Sequence, residues 1–255
     1  MTDESALGPV EDPRPERLAL LAVVAGIATD VGKTWVTAAV AMQLQRAGTV
    51  VAARKPAQSH ESGDAKTDAP VLARSTSAGL HAVCRADRGY PAAMAPPMAA
   101  AALDAAPFAV ADLVAELEWP TGCDVDLIES TGGIRPPLAS DGDTVELIRQ
   151  VDPDAVVLGP DAGLGVIDAV RPSRACGRAR RCRTPDARLG VIDAVRLCLA
   201  ALEPIHPIVL LNRFDSRNDL HRRNLAWLSG IDGRDPLKRP EHFAHLLAGL
   251  GEDLR

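Results

Sequence analysis

The chain has 255 residues and a formal net charge of −6, from 28 basic and 34 acidic side chains. That length suits one large α/β domain. The acidic balance excludes the broad basic field that nucleic acid requires, so no nucleic-acid partner is expected. Aromatic residues make up only 3% of the chain, which predicts an aliphatic core. Cys84, Cys123, Cys176, Cys182 and Cys198 are odd in number and lack zinc-ligand spacing. They read as reduced thiols of a cytoplasmic protein rather than a disulfide framework. The longest apolar run near the N-terminus is too short to span a bilayer, and the segment before it is acidic. Neither a membrane anchor nor a signal peptide is expected.

Residues 1–17 are polar, contain three prolines and have no apolar period. They predict a disordered tail ahead of a single domain over 18–255. Residues 18–25 are apolar and predict a buried strand. Gly26-Ile27-Ala28-Thr29-Asp30-Val31-Gly32-Lys33-Thr34 follows, and then a helical pattern over 35–47. A strand, a turn ending in Gly-Lys-Thr and a helix make the layout of a phosphate-binding loop. Backbone N–H groups in such a turn converge on an anion. Gly32 permits close approach of the backbone. Lys33 supplies a charge for the β- and γ-phosphates, and the Thr34 hydroxyl can ligate Mg²⁺. The spacing is unusual, because five residues separate Gly26 from Gly32 where the common pattern has four between its first Gly and the Gly-Lys pair.

Gly48 is a natural C-cap, and 49–54 predict a second strand. It delivers Lys55-Pro56-Ala57-Gln58-Ser59 to the C-terminal sheet edge, where open α/β sheets bind ligands. Lys55 is there either a second phosphate or substrate cation, or a solvated lysine before a loop. Asp68 opens a short helix to 77, with Pro70 in its first turn. Asp64 and Asp68 are both placed to reach a metal, although an Asp at a helix start is commonly a cap. The Ala- and Pro-rich 89–107 read as packed connectors. A helix is predicted over 110–117 and a third strand over 124–128, ending in Glu129-Ser130-Thr131-Gly132-Gly133. An acid at a strand end facing the phosphate loop suits a second Mg²⁺ ligand. A helix over 144–150 and a fourth strand over 155–159 follow.

The octet Leu-Gly-Val-Ile-Asp-Ala-Val-Arg at 164–171 recurs at 189–196. This is a local duplication, since two copies do not make a solenoid. The linker 172–188 carries Arg174, Arg178, Arg180, Arg181, Arg183 and Arg188 against Asp186 alone, and reads as a solvated insertion. The second copy continues as a helix to 202. A fifth strand over 207–211 ends in Asn212-Arg213-Phe214-Asp215. A helix over 219–228, with Asp219 as its cap, and a last helix over 240–250 complete the pattern. Alternating strands and helices predict a doubly wound, mostly parallel α/β sheet flanked by helices, of the P-loop NTPase kind.

Taken together and in this order, Gly-Lys33-Thr34, Lys55-Pro-Ala-Gln-Ser59, Glu129-x-x-Gly132-Gly133 and Asn212-Arg-Phe-Asp215 resemble dethiobiotin synthetase, from about residue 18 to the C-terminus apart from the inserted repeat. That family's loop also has five residues between its first Gly and Gly-Lys-Thr. The segments Tyr90-Pro91-Ala-Ala-Met94-Ala-Pro96 and Ala162-Gly163-Leu164-Gly165 look like family segments too. The resemblance implies an ATP- and Mg²⁺-dependent ligase that joins CO₂ (or bicarbonate) to 7,8-diaminononanoate. A carbamate forms, is phosphorylated by ATP, and the resulting carbamic–phosphoric anhydride closes to the ureido ring of dethiobiotin.

By the same resemblance Lys33 binds the β- and γ-phosphates, and Thr29, Asp30, Val31, Gly32 and Thr34 complete the nucleotide loop. Lys55 stabilises carbamate and phosphoryl group, Ser59 hydrogen-bonds the carbamate, Thr34, Asp68 and Glu129 hold Mg²⁺, and Asn212 recognises adenine. A homodimer is implied. Three places depart from the family. Ile27-Ala28 replace Thr-Asp, Ser130-Thr131 replace Gly-Ala, and His60 replaces a Gly. Two alternatives stand beside this: a catalytically impaired relative that binds nucleotide, or a protein through the basic loop, without turnover, and a P-loop switch ATPase, although such switches usually carry a second lysine near the loop start, where Ile27 and Ala28 stand here.

Overall fold

The computed structural model describes residues 19–63, 67–76, 79–118, 120–163, 190–230 and 232–253. The N-terminal tail, Asp64, the first copy of the octet and the Arg-rich linker, with Cys176 and Cys182, lie outside these residues. In chain order the elements are β1 (Leu20–Gly26), α1 (Lys33–Arg46), β2 (Val51–Arg54), β3 (Gln58–Ser59), α2 (Asp68–Thr76) and α3 (Leu80–Val83). A 3₁₀ turn (Ala86–Arg88) leads to β4 (Gly89–Tyr90), α4 (Pro96–Ala102), α5 (Val110–Ala115), β5 (Val125–Glu129) and α6 (Thr144–Val151). Then come β6 (Ala155–Gly159), α7 (Gly190–Ala201), β7 (Ile208–Val209), α8 (Asp219–Gly230) and α9 (Pro240–Asp253).

Five strands form one parallel sheet in the order β2-β5-β1-β6-β7. All seven residues of the central β1 are buried, because both faces of the sheet are covered. Such strands read as continuous apolar runs rather than alternating ones. The pleat divides β1 between two cores. Leu21, Val23 and Ala25 pack with Ile148, Val195 and Leu199, while Leu20, Ala22 and Val24 pack with Val40, Leu44, Leu72 and Phe243. Aliphatic side chains dominate both cores, as the composition predicts.

Register sets the site. Val24 pairs with Glu129, Gly26 with Gly159, and Arg54 with Ile128. The C-terminal ends of β1, β2, β5 and β6 therefore finish together, and their following loops share one edge. The chain runs from β1 to β2 on one side and on to β6 on the other, which makes this edge a topological switch point.

Some boundaries move. The second and fifth strands are shorter than predicted, and α5 stops at Ala115. The connectors contain α4 and a two-stranded parallel pair, β3 with β4. Asp219 does not cap α8. Asn218 Oδ1 accepts from the N–H groups of Leu220 and His221 at 2.9 and 3.4 Å, and Asp219 pairs instead with Arg222 and Arg223. Cys84, Cys123 and Cys198 are buried free thiols. No helix among the described residues is long and apolar enough to cross a membrane.

Asp126 lies buried on β5, away from the switch-point edge. Burial pushes its carboxyl up to about 6, against the opposing pull of Arg54 and of the Cys123 thiol. A carboxyl whose pKa rises on folding loses stability as pH rises from its unfolded value through the folded one. Asp126→Asn is accordingly expected to raise stability by about 2 kcal/mol at pH 7 and by little at pH 4. Urea melts at the two pH values measure this, and an equal change at both would exclude the titration as its cause.

Candidate nucleotide and metal site

Gly26 and Gly32 are required by contact. A Cβ at Gly26 would lie 2.8 Å from Lys33 Cδ and 2.9 Å from Val31 Cγ2, so the loop folds its own lysine back over the strand end. Gly32 has φ of 89°, which favours glycine, and a side chain there would collide with the Asn212 amide. No side chain caps α1. Its first-turn N–H groups remain for an anion, in contrast to α6, where Asp143 accepts from Val145 and Glu146.

Four side chains from four segments converge beside this loop. The Thr34 hydroxyl lies 2.8 Å from both Asp68 Oδ1 and Glu129 Oε1. Lys55 Nζ lies 2.6 Å from Glu129 Oε1 and 2.7 Å from Asp68 Oδ2, and donates to the Ser130 carbonyl at 3.3 Å. Lys55 is fully buried among the site's acids, so the reading of a solvated lysine does not hold. Burial alone would lower its pKa, but the charges of Glu129 and Asp68 overrule this and raise it. Burial would likewise raise the Asp68 carboxyl, yet Lys55 and the Thr34 hydroxyl hold it below the usual range. Lys33 behaves oppositely. Burial and then the Lys55 charge push it down to about 8, against the pull of Glu129, Asp68 and Asp30. Its Nζ donates to the Ala28 carbonyl at 3.0 Å.

Mg²⁺ takes one or two carboxylates and keeps water and phosphate as its other ligands. Thr34, Asp68 and Glu129 offer that hard-oxygen set, and Glu129 Oε2 is buried without a hydrogen-bond partner. Among the described residues no group of three or more His, Cys, Asp or Glu could hold a metal on its own. The residues present fit the ion.

The other predicted residues are placed differently. Thr29 and Asp30 are exposed on the loop crest, Asp30 with φ of 58°. Val31 is buried and offers its carbonyl to Asn212 Nδ2 at 2.7 Å, while Asn212 Oδ1 accepts from the Arg213 N–H at 2.9 Å. Asn212 is thus a brace between the phosphate loop and the end of β7. Ser59 sits on β3 with its hydroxyl donating to the Met94 carbonyl at 2.6 Å, outside the four-residue cluster. Thr131, at a position where the resemblance expects a small residue, donates to the Ala57 carbonyl and ties the β5 loop to the Lys55 segment. The sequence assigns no role to Arg213, Asp161 or Thr131. Only the quoted Asn-Arg-Phe-Asp string marks the first of them.

A glycine-bounded loop around a buried lysine, an uncapped helix start and a Thr–Asp–Glu oxygen set define a phosphate-binding-loop protein of the nucleotide-dependent class. The family model described as AAA domain matches residues 22–184. Over 163 residues the chain is 37% identical to the ATP-dependent dethiobiotin synthetase BioD of Rhodococcus jostii, covering 62% of this chain and 69% of that protein. It is 36% identical over 147 residues to the enzyme of the same name from Rhodococcus erythropolis, covering 57% of this chain and 64% of that protein. The Streptomyces coelicolor protein of that name is 33% identical over 147 residues, covering 57% of this chain and 60% of its own length. The chain belongs to the ATP-dependent dethiobiotin synthetase family. A solved signal recognition particle receptor FtsY from Elizabethkingia anophelis, in complex with GDP, overlaps with a TM-score of 0.47 at 13% identity, covering 92% of this chain and 65% of that one. That overlap is too loose to bear on function.

Proposed function

We propose that the protein is a dethiobiotin synthase, which uses ATP to carboxylate 7,8-diaminononanoate and close the ureido ring, releasing dethiobiotin, ADP and phosphate. The observation that carries this reading is the meeting of Thr34, Lys55, Asp68 and Glu129 beside the Lys33 loop. In this reading Lys33 leaves the Ala28 carbonyl for the β- and γ-phosphates. The uncapped start of α1 and the loop N–H groups hold the same phosphates in line. Thr34, Asp68 and Glu129 would hold Mg²⁺, which would supply neutralising charge for the phosphate oxygens. Lys55, beside the same carboxylates, directs its ammonium towards the carbamate oxygen and the transferring phosphoryl group. Glu129 and Asp68 raise its pKa above the ordinary lysine value, so in this site it is a cation that acts by charge and position rather than as a base. Ser59 is one hydrogen bond from the same segment and would orient the carbamate after release from Met94. A homodimer and a role for Asn212 at the adenine belong to the same proposal.

The test is product formation from purified protein, MgATP, bicarbonate and 7,8-diaminononanoate. Dethiobiotin and ADP in equal amounts are expected. ATP binding with no dethiobiotin at any diamine concentration would overturn the ligase reading and leave a nucleotide-binding relative.

A further inference from the structure

Asp68 and Glu129 face the same hydroxyl, but they are held very differently. Glu129 ends a central strand and is fully buried, whereas the Asp68 side chain is 43% exposed at the start of α2. Packing therefore fixes Glu129 and leaves Asp68 free to turn outward unless its helix is held in place. An Asp at a helix start commonly serves the N–H groups of its own first turn. Here its two oxygens are engaged across the site, Oδ1 with the Thr34 hydroxyl and Oδ2 with Lys55 Nζ. The acceptor for the first turn comes from elsewhere. Gln58 Oε1 accepts from the Ala69 N–H at 3.2 Å. Ala69 is fully buried, so that N–H has no water to turn to if the amide is removed.

Gln58 is a firm place to hold from. It pairs with Gly89 in the β3–β4 ladder, and its Nε2 lies against that glycine, 3.6 Å from where a Cβ would stand. The segment around it is tied on several sides. The Lys55 N–H donates to the Val83 carbonyl, the Thr131 hydroxyl to the Ala57 carbonyl, and the His60 N–H to the Tyr90 carbonyl. Resting on the metal reading above, we propose that Gln58 is a positioning residue for the Mg²⁺ site: it grips the first turn of α2 so that the Asp68 carboxylate faces Thr34 and Glu129. Lys55 and Asp68, three and ten residues away from it, are thereby set by one side chain that touches neither nucleotide nor metal.

The test measures dissociation constants of adenylyl imidodiphosphate, a non-hydrolysable ATP analogue, by calorimetry on the full chain, with millimolar Mg²⁺ and with EDTA. Gln58→Met keeps the length of the side chain and removes the acceptor. It is expected to weaken binding about tenfold with Mg²⁺, the scale of losing a residue that orients a metal ligand, and to leave binding in EDTA unchanged. Gln58→Glu keeps the acceptor oxygen and should bind with Mg²⁺ no more weakly than the native chain. In an Asp68→Asn background, adding Gln58→Met should cost nothing further, because the side chain it positions is no longer a carboxylate. A loss that persists in that background, or that is equal in EDTA, would mean a general loosening of the fold and overturn the proposal. Native affinity in Gln58→Met would overturn it alone. A native chain that binds the analogue equally well with and without Mg²⁺ would overturn the metal reading and this inference with it.

Discussion

Lys55→Ala is expected to lose dethiobiotin formation by about a thousandfold in kcat, the scale of removing one preorganised charge from a transition state, and to unfold at a lower temperature. The second effect follows from burial. Glu129 is fully buried, and its Oε1 contacts Lys55 and Thr34 while its Oε2 has no hydrogen-bond partner. Removing the ammonium leaves two carboxylates face to face around one hydroxyl. Breaking a buried pair from one side costs about 3–5 kcal/mol, which for a chain of this size lowers Tm by roughly 10 °C. Millimolar Mg²⁺ should raise the Tm of Lys55→Ala more than that of the native chain, because the ion would supply the positive charge that Asp68 and Glu129 lose with the ammonium. Thermal melts with and without Mg²⁺ decide this, and a variant as stable as the native protein would mean that the ion pair does not hold the site.

Lys33→Met should also abolish turnover, but with the opposite effect on stability. Folding lowers the pKa of Lys33 to about 8, with burial as the main cause and Lys55 next. A lysine depressed in this way costs stability while it is charged, and the cost is relieved as pH rises from the folded value towards the unfolded one. At pH 7 the full cost is present, about 3 kcal/mol from the size of the shift. The bond to the Ala28 carbonyl returns about 1 kcal/mol of it. The methionine variant is therefore expected to melt several degrees higher without nucleotide, on the scale of about 2 kcal/mol. MgATP affinity should fall by about 10- to 100-fold, the worth of charge-assisted hydrogen bonds to phosphate. Calorimetric titration and nucleotide-free melts check both halves, and a lower Tm would sink the claim that the loop holds its lysine under strain. Two buried lysines in one site thus separate. One is supported by acids and stabilises the fold, while the other is held for a ligand at the expense of the fold.

Local patterns made much of this legible in the sequence. The apolar run of β1 reads as a buried strand because it faces two cores, and Gly26, Gly32, Lys33 and Thr34 read as a phosphate loop because strand, turn and helix are contiguous. The rule of open parallel sheets puts the strand ends at Lys55 and Glu129 on one edge, and the strand predicted over 155–159 coincides with Ala155–Gly159. The β3–β4 pair escaped because two residues carry no periodicity. The α8 cap shifted from Asp219 to Asn218 because both residue types favour that position and only geometry chooses between them.

The order of strands and helices and the kind of chemistry at each loop follow from contiguous residues, so the chain carries both in its local patterns. Which of those residues meet depends on packing across the sheet. Asp68 rather than a solvated cap reaches Thr34, Lys55 is buried between two acids rather than exposed, and Asn212 braces Val31 across 181 residues of chain. Contacts at such separations depend on strand order and register, which alternating apolar runs do not encode.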